Sequence, residues 1–270
     1  MAPRIDFGVP VSITYIGTAT AIIHIDGVNF LTDPVFSPGG TEWYRRDVGG
    51  LKLTQTKSPA YGLASLPPID AVLLSHEDHP DNLDEPGRQL LDGRRVFTTP
   101  DGARKLGPRP GVRGLKDWKT ATLTIGGREF SITATPCQHL PGGECIGFVI
   151  SSPSFGTHSP TNLPNALYFS GDTVHVASLG PEIRARWHVA AALLNLGKAS
   201  VGRLQITMDG AQGVQLFEDV GADLLVPMHF EAWQHFAEDK ADMVAAFEKG
   251  GILDKVVFLE LGVETLLTKA

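Results

Sequence analysis

Between residues 11 and 32 the chain reads VSITYIGTATAIIHIDGVNFLT, apolar or β-branched at most positions. That density suits strands. Ile25-Asp26-Gly27-Val28 breaks it with turn-forming residues, so a β-meander is expected. Residues 34–68 carry Pro, Gly and polar residues without a sustained period and read as one long loop. A loop of that length inside a compact domain is usually functional. Beyond it, strand-like and helix-like segments alternate. IDAVLLS and RVFTT read as strands, with a helix near Glu85–Leu91 and a shorter helical piece from Asp101. ATLTI and FSITATP flank Gly126-Gly127 and predict a hairpin.

The second half continues in the same style. GFVIS and ALYFSGD read as strands on either side of the loop SPSFGTHSPTNLPN, and the apolar AALLNL follows. Asp209 is a good N-cap for a helix to Val220, with Val214, Leu216, Phe217 and Val220 roughly on one face. DLLVPMHF reads as a strand, Lys240 to Lys249 as a helix, and VVFLEL as a final strand. Strands that are apolar throughout need cover on both faces. Meanders and βα units in both halves therefore predict an α/β protein: two mixed β-sheets face to face with helices outside, an αββα sandwich. With no linker or repeat in view, residues 1–270 read as a single domain.

Composition narrows the partners. A hydrophobic content of 42% supports a sizeable core, and the formal charge of −7 disfavours a nucleic-acid surface. No apolar run reaches the ~18 residues of a membrane span, and MAPRIDFGVP lacks the pattern of a signal peptide. The expectation is a soluble cytoplasmic protein with no membrane insertion, acting on a small molecule; its oligomeric state is left open. Cys137 and Cys145 lack CxxC spacing and read as reduced thiols.

Candidate chemistry gathers where strands end. His76 and His79 follow IDAVLLS in the stretch SHEDHPDNLD, His139 follows FSITATPCQ, Asp172 follows ALYFSG and His229 follows DLLVPM. Ligands in α/β sheets collect past the C-terminal ends of strands. Histidine and aspartate are the donors that borderline metals take. One strand end of this kind means little; together they predict a metal site.

Read in order, SH…H-x-D, a lone His, Gly-Asp and a last His, the chain resembles the metallo-β-lactamase superfamily. It also looks like the branch that includes ascorbate-phosphate lactonase and N-acyl phosphatidylethanolamine phospholipase D. YIGTATAIIHIDGVNFLTDPVFSP, YFSGDT and MDGAQGVQLFEDVGADLLVPMHF carry the resemblance along nearly the whole chain. It implies the αββα sandwich with metal at one edge of the sheets, and hydrolase chemistry. It also implies a first site of His76, His79, His139 and Asp172, and a second of Asp81, His229, the shared Asp172 and at best Asn82.

The opening stretch departs from the family's H-x-H-x-D-H. One extra residue separates His76 from His79, and Asn82 stands in place of the last histidine. An alignment without the insertion would put Glu77 in the first position. The first site suits Zn²⁺; the second, richer in oxygen, is expected to be weaker or to prefer Mn²⁺ or Fe²⁺, so one or two ions are expected.

In this reading Asp81 and Asp172 are catalytic, serving a water activated by the metal. Asp33 of LTDPVF is a partner that orients a ligand histidine, or else a turn former before proline. Trp43, Tyr44, Arg45 and Arg46 in the long loop, with His175, are candidate substrate contacts. His24, His188 and His235 read as structural. The expected reaction is ring opening of a lactone or lactam, or cleavage of another ester or amide. A phosphodiesterase, an oxidoreductase with one iron and a non-catalytic metal-binding protein are the alternatives.

Overall fold

The computed structural model describes residues 5–45, 50–139 and 143–268, without the side chain of Arg45. The first half of the chain forms β1 (Val11–Gly17), β2 (Thr20–Ile25), β3 (Val28–Thr32), β4 (Glu42–Arg45), β5 (Leu51–Thr54), β6 (Ala71–Leu73), α1 (Glu85–Leu90), β7 (Arg95–Thr98), α2 (Pro100–Lys105) and β8 (Val112–Gly114). The second half forms β9 (Thr120–Ile125), β10 (Arg128–Pro136), β11 (Ile146–Ser151), β12 (Thr157–His158), β13 (Leu163–Phe169), α3 (Leu179–Arg184), β14 (His188–Asn195), β15 (Ser200–Val201), β16 (Leu204–Gln205), α4 (Gly210–Val220), β17 (Leu224–Met228), α5 (Lys240–Lys249) and β18 (Glu264–Leu266).

These strands build two mixed seven-stranded sheets. One has the order β18-β1-β2-β3-β6-β7-β8 and the other runs β17-β14-β13-β11-β10-β9, with β12 added beside β13. The β1–β2–β3 meander is antiparallel, whereas β3, β6, β7 and β8 run parallel, as do β13, β14 and β17. Ile13, Ile23 and Phe30 of the first sheet meet Phe130, Phe148 and Leu193 of the second in a shared core. Leu179, Phe217 and Met243 cover the outer face of the second sheet, and Leu91 and Leu106 that of the first. The result is the expected αββα sandwich. β1 is buried at every position because it has cover on both faces.

Helix α4 starts where its cap predicts: the Asp209 carboxylate accepts the Gln212 N–H at 2.9 Å, and Gly221 ends the helix at φ 66°. Two expectations need correction. The 34–68 segment is not one loop, because β4 and β5 pair as a hairpin whose Leu53 packs with Val35, Ala232 and Trp233. VVFLEL is not a strand. Only Val256 bridges to Leu225; Val257 and Leu259 pack against the core, and β18 then pairs with β1.

Candidate metal centre

Loops at one edge of the sandwich carry the polar residues inward. β6 ends two residues before Ser75-His76, and the loop through His79, Asp81 and Asn82 runs into α1, capped by Asp84. Asp84 also anchors this loop to the one after β3, accepting the N–H groups of Phe36 at 2.8 Å and Ser37 at 2.5 Å. From the other sheet, His139 follows β10, Asp172 follows β13 and His229 follows β17. Gly171 lets the two sheets' loops touch. Its φ is +58°, and a Cβ there would lie 2.6 Å from the Ile146 carbonyl oxygen and 2.9 Å from the Ser75 side chain.

Two sets of donors converge, each with its ligand atoms within 4.8 Å of one another: His76, His79, His139 and Asp172, and then Asp81, Asp172 and His229. All of these side chains are buried. The three imidazoles of the first set face one another at centroid distances of 4.7 to 4.9 Å, and His139 Nε2 lies 3.0 Å from His79 Nδ1. Asp172 stands between the sets. Its Oδ2 is 3.9 Å from His139 Nε2 and 3.5 Å from His229 Nε2, while Oδ1 accepts the Asn195 amide at 2.7 Å.

The surroundings select which nitrogen is presented. His139 Nδ1–H donates to the Ile206 carbonyl at 2.7 Å, and His229 Nδ1 faces the Leu196 carbonyl at 3.4 Å. Ser75 Oγ–H donates to Asp33 Oδ2 at 2.7 Å and accepts from His76 Nδ1 at 2.8 Å. These tautomers follow from the hydrogen-bond network. His229 Nε2 faces Asp81 Oδ2 at 3.4 Å and Asp172 Oδ2 at 3.5 Å, whereas His76 Nε2 is left buried without a hydrogen-bond partner among the described residues. A buried acceptor left so costs free energy unless a cation takes its lone pair. The donors present therefore fit a metal ion.

Electrostatics separates the sets. Burial, with the neighbouring His79 and His139, holds the His76 imidazole well below its ordinary pKa. Burial works the same way on His229, but Asp172 and Asp81 outweigh it and push the ring up to about 9. Asp81 is held well below the carboxylate range: hydrogen bonds from His229 and His235 overcome its desolvation. Asp33, desolvated and facing Asp172, is pushed up to about 7 despite donors from Asn82 and Ser75.

Other expected residues fall differently. Asp33 reaches His76 only through Ser75, and it also accepts the Asn82 amide at 3.0 Å. Asn82 Oδ1 is buried without a hydrogen-bond partner among the described residues. Glu77 is turned away, paired with Arg88 at 3.2 Å and Lys105 at 2.8 Å. A cleft opens onto His79, Asp81, His139 and Asp172, with Leu51, Leu53, Val201 and Ile206 among its walls. The β4–β5 hairpin thus reaches the cleft with leucines, not with the aromatics expected. Trp43 packs on Trp233 at 4.9 Å between centroids, and Tyr44 is 63% exposed. Arg46 and the Arg45 side chain lie outside the described residues. His175 does not line the cleft; its Nε2 is drawn 2.7 Å from Asp219 on α4.

His235, read from the sequence as structural, does line the cleft, and its Nε2 is 3.1 Å from Asp81 Oδ2. Asn195 and Ser75 also have roles that their local sequence does not mark.

Comparison with known proteins agrees with this geometry. A family model described as a β-lactamase superfamily domain matches residues 28–230. A UPF0173 metal-dependent hydrolase of Methanopyrus kandleri is 25% identical over 262 residues, 93% of this chain and 97% of its own. The mitochondrial N-acyl-phosphatidylethanolamine-hydrolyzing phospholipase D of Saccharomyces cerevisiae is 25% identical over 267 residues, 94% of this chain and 55% of its own. Against several curated relatives the chain spans only 55 to 58% of their length. Among solved structures, an isothiocyanate hydrolase from Delia radicum gut bacteria superposes with a TM-score of 0.75 at 22% identity, covering 94% of this chain and 98% of that one.

Proposed function

The chain belongs to the β-lactamase superfamily, whose domain model matches residues 28–230, and from that premise we propose that it is a metal-dependent hydrolase. Its substrate in this proposal is a small uncharged ester or amide, with lactones and lactams foremost. The observation that carries the reading is the pair of buried donor sets sharing Asp172 at the floor of a cleft. His76, His79, His139 and Asp172 would hold one ion, for which their three imidazoles favour Zn²⁺; Asp81, Asp172 and His229 would hold a second. When bound, such an ion supplies an acidified water and polarises the electrophile.

The chain's own residues do the rest. Asp172 Oδ2 faces both sets while Asn195 holds its Oδ1, so the shared carboxylate keeps one orientation. Asp81 lines the cleft, where its carboxylate can orient a water and take its proton. Leu51, Leu53, Val201 and Ile206 exclude solvent around the substrate's apolar part.

Phosphodiester cleavage is the second reading, favoured by the similarity to the yeast phospholipase. Against it, no Lys or Arg side chain lines the cleft among the described residues, so a bound phosphate would lack a cationic clamp. No helix among the described residues is long and apolar enough to cross a membrane.

The test is a panel of lactones, lactams, a phosphodiester and an alkyl isothiocyanate, the last prompted by the structural relative's substrate. It is run on metal-loaded wild type and on Asp172→Ala. Lactone or lactam turnover that disappears in the variant is expected. Turnover of the phosphodiester alone, or hydrolysis that survives the substitution, would overturn the assignment. One iron per chain together with oxygen consumption would support oxidation instead.

A further inference from the structure

We propose that His235 is a positioning residue for the second donor set, acting through Asp81; this rests on the metal-dependent reading above. Its Nε2 lies 3.1 Å from Asp81 Oδ2, the same oxygen that His229 Nε2 approaches at 3.4 Å. An ionised carboxylate only accepts, so the hydrogen in the His235 contact sits on Nε2. His235 is not among the donors that lie within 4.8 Å of one another. It therefore acts on the ligand and not on the ion.

The ring is placed to do this work. Its side chain is 17% exposed, it lines the cleft, and Phe236 and Trp233 flank it at centroid distances of 4.6 and 5.7 Å. Phe236 also packs on His229 at 4.6 Å, and Trp233 Nε1–H donates to Thr18 Oγ1 at 3.0 Å. The segment holds positive φ at His229 (61°) and Ala232 (78°), conformations that persist only where surrounding contacts enforce them. One braced loop thus delivers both a candidate ligand, His229, and the residue that aims Asp81.

Asn82 makes this division of labour necessary. It supplies no imidazole to the second set, and its amide N–H donates to Asp33 on the side of the first. Without His235, His229 would be the one side-chain donor left to Asp81 among the described residues. Removing a partner of a ligand usually weakens metal binding about 10- to 100-fold.

The experiment titrates metal-free wild type, His235→Ala and His235→Gln with Zn²⁺ and with Mn²⁺ by equilibrium dialysis, counting bound ions per chain. Steady-state kinetics on the loaded proteins run in parallel. In His235→Ala the second equivalent should bind about 10- to 100-fold more weakly while the first is unchanged. kcat should fall more than KM changes, and His235→Gln, which restores an N–H, should recover most of both losses. Unchanged affinity for the second ion would overturn the proposal. So would equal weakening of both ions, a Gln variant no better than Ala, or a wild type that takes up one ion or none. A wild type that binds two ions yet hydrolyses nothing defeats the hydrolase reading alone, because dialysis still decides the role of His235.

Discussion

The two donor sets share one carboxylate and differ in almost everything else. The first is three imidazoles and Asp172; the second is one imidazole between two carboxylates. In the first, burial and neighbouring histidines keep His76 neutral, with its lone pair ready. In the second, Asp172 and Asp81 hold a proton on His229 against the effect of burial, up to a pKa of about 9. A metal entering the second set must displace that proton. At pH 7 this handicap is on the order of 3 kcal/mol, since each unit is about 1.4 kcal/mol. The ratio of carboxylate to imidazole thus decides which set is ready for a cation and which is already occupied by a proton.

The largest expected effect comes from removing what the sets share. Asp172→Ala should abolish uptake at both and lower kcat/KM by at least the roughly 10²- to 10⁴-fold typical of a lost acid–base group. Uptake of two ions by this variant would show that the sets are independent. Next come substitutions in one set only. His139→Ala should lose the first ion and keep the second, and His229→Ala the reverse, both read by ion counts after dialysis. If either variant loses both, the contrast between the sets is not real.

Acidity gives a smaller effect with a defined sign. The folded protein keeps the His229 proton up to about pH 9, whereas the unfolded chain releases it near the ordinary value of 6.5. This group's contribution is complete below pH 6.5 and is lost as pH rises through 9, on the order of 3 kcal/mol. Asp33, raised from 3.8 to about 7, acts in the same direction at lower pH: its contribution is complete below 3.8 and lost through 7. Denaturant melts of the metal-free protein should therefore show stability falling from pH 6.5 to 9, with a flatter profile in His229→Asn. Calorimetry at pH 8 in buffers of different ionisation enthalpy should register about one proton released with the second ion.

The smallest effect belongs to the support of the first set. Ser75→Ala removes the hydroxyl between Asp33 and His76 and should weaken the first ion about 10-fold, leaving the second unchanged. It should also cost about 1–3 kcal/mol of stability, because buried groups lose a partner.

Much of this architecture was legible in local pattern. Apolar runs marked the strands of both sheets, and Asp209 marked the start of α4. His76, His79, His139, Asp172 and His229 each sit just past a strand, where backbone direction already aims them at a sheet edge. The β4–β5 hairpin was missed because its strands are four residues each and are supported by packing on Trp233, far away in sequence. VVFLEL misled because an apolar run looks the same whether it pairs as a strand or packs as coil.

His235 shows the boundary most clearly. It follows no strand directly, and its partner Asp81 is 154 residues away. His175, three residues beyond Asp172, looked better placed but is drawn to Asp219 on α4. Periodicity and residue chemistry are short-range, and they determined the strands, the helices and the donors available. Which donors meet, and which of them carry a proton, depends on distances and desolvation that exist only once two sheets have closed on a common core.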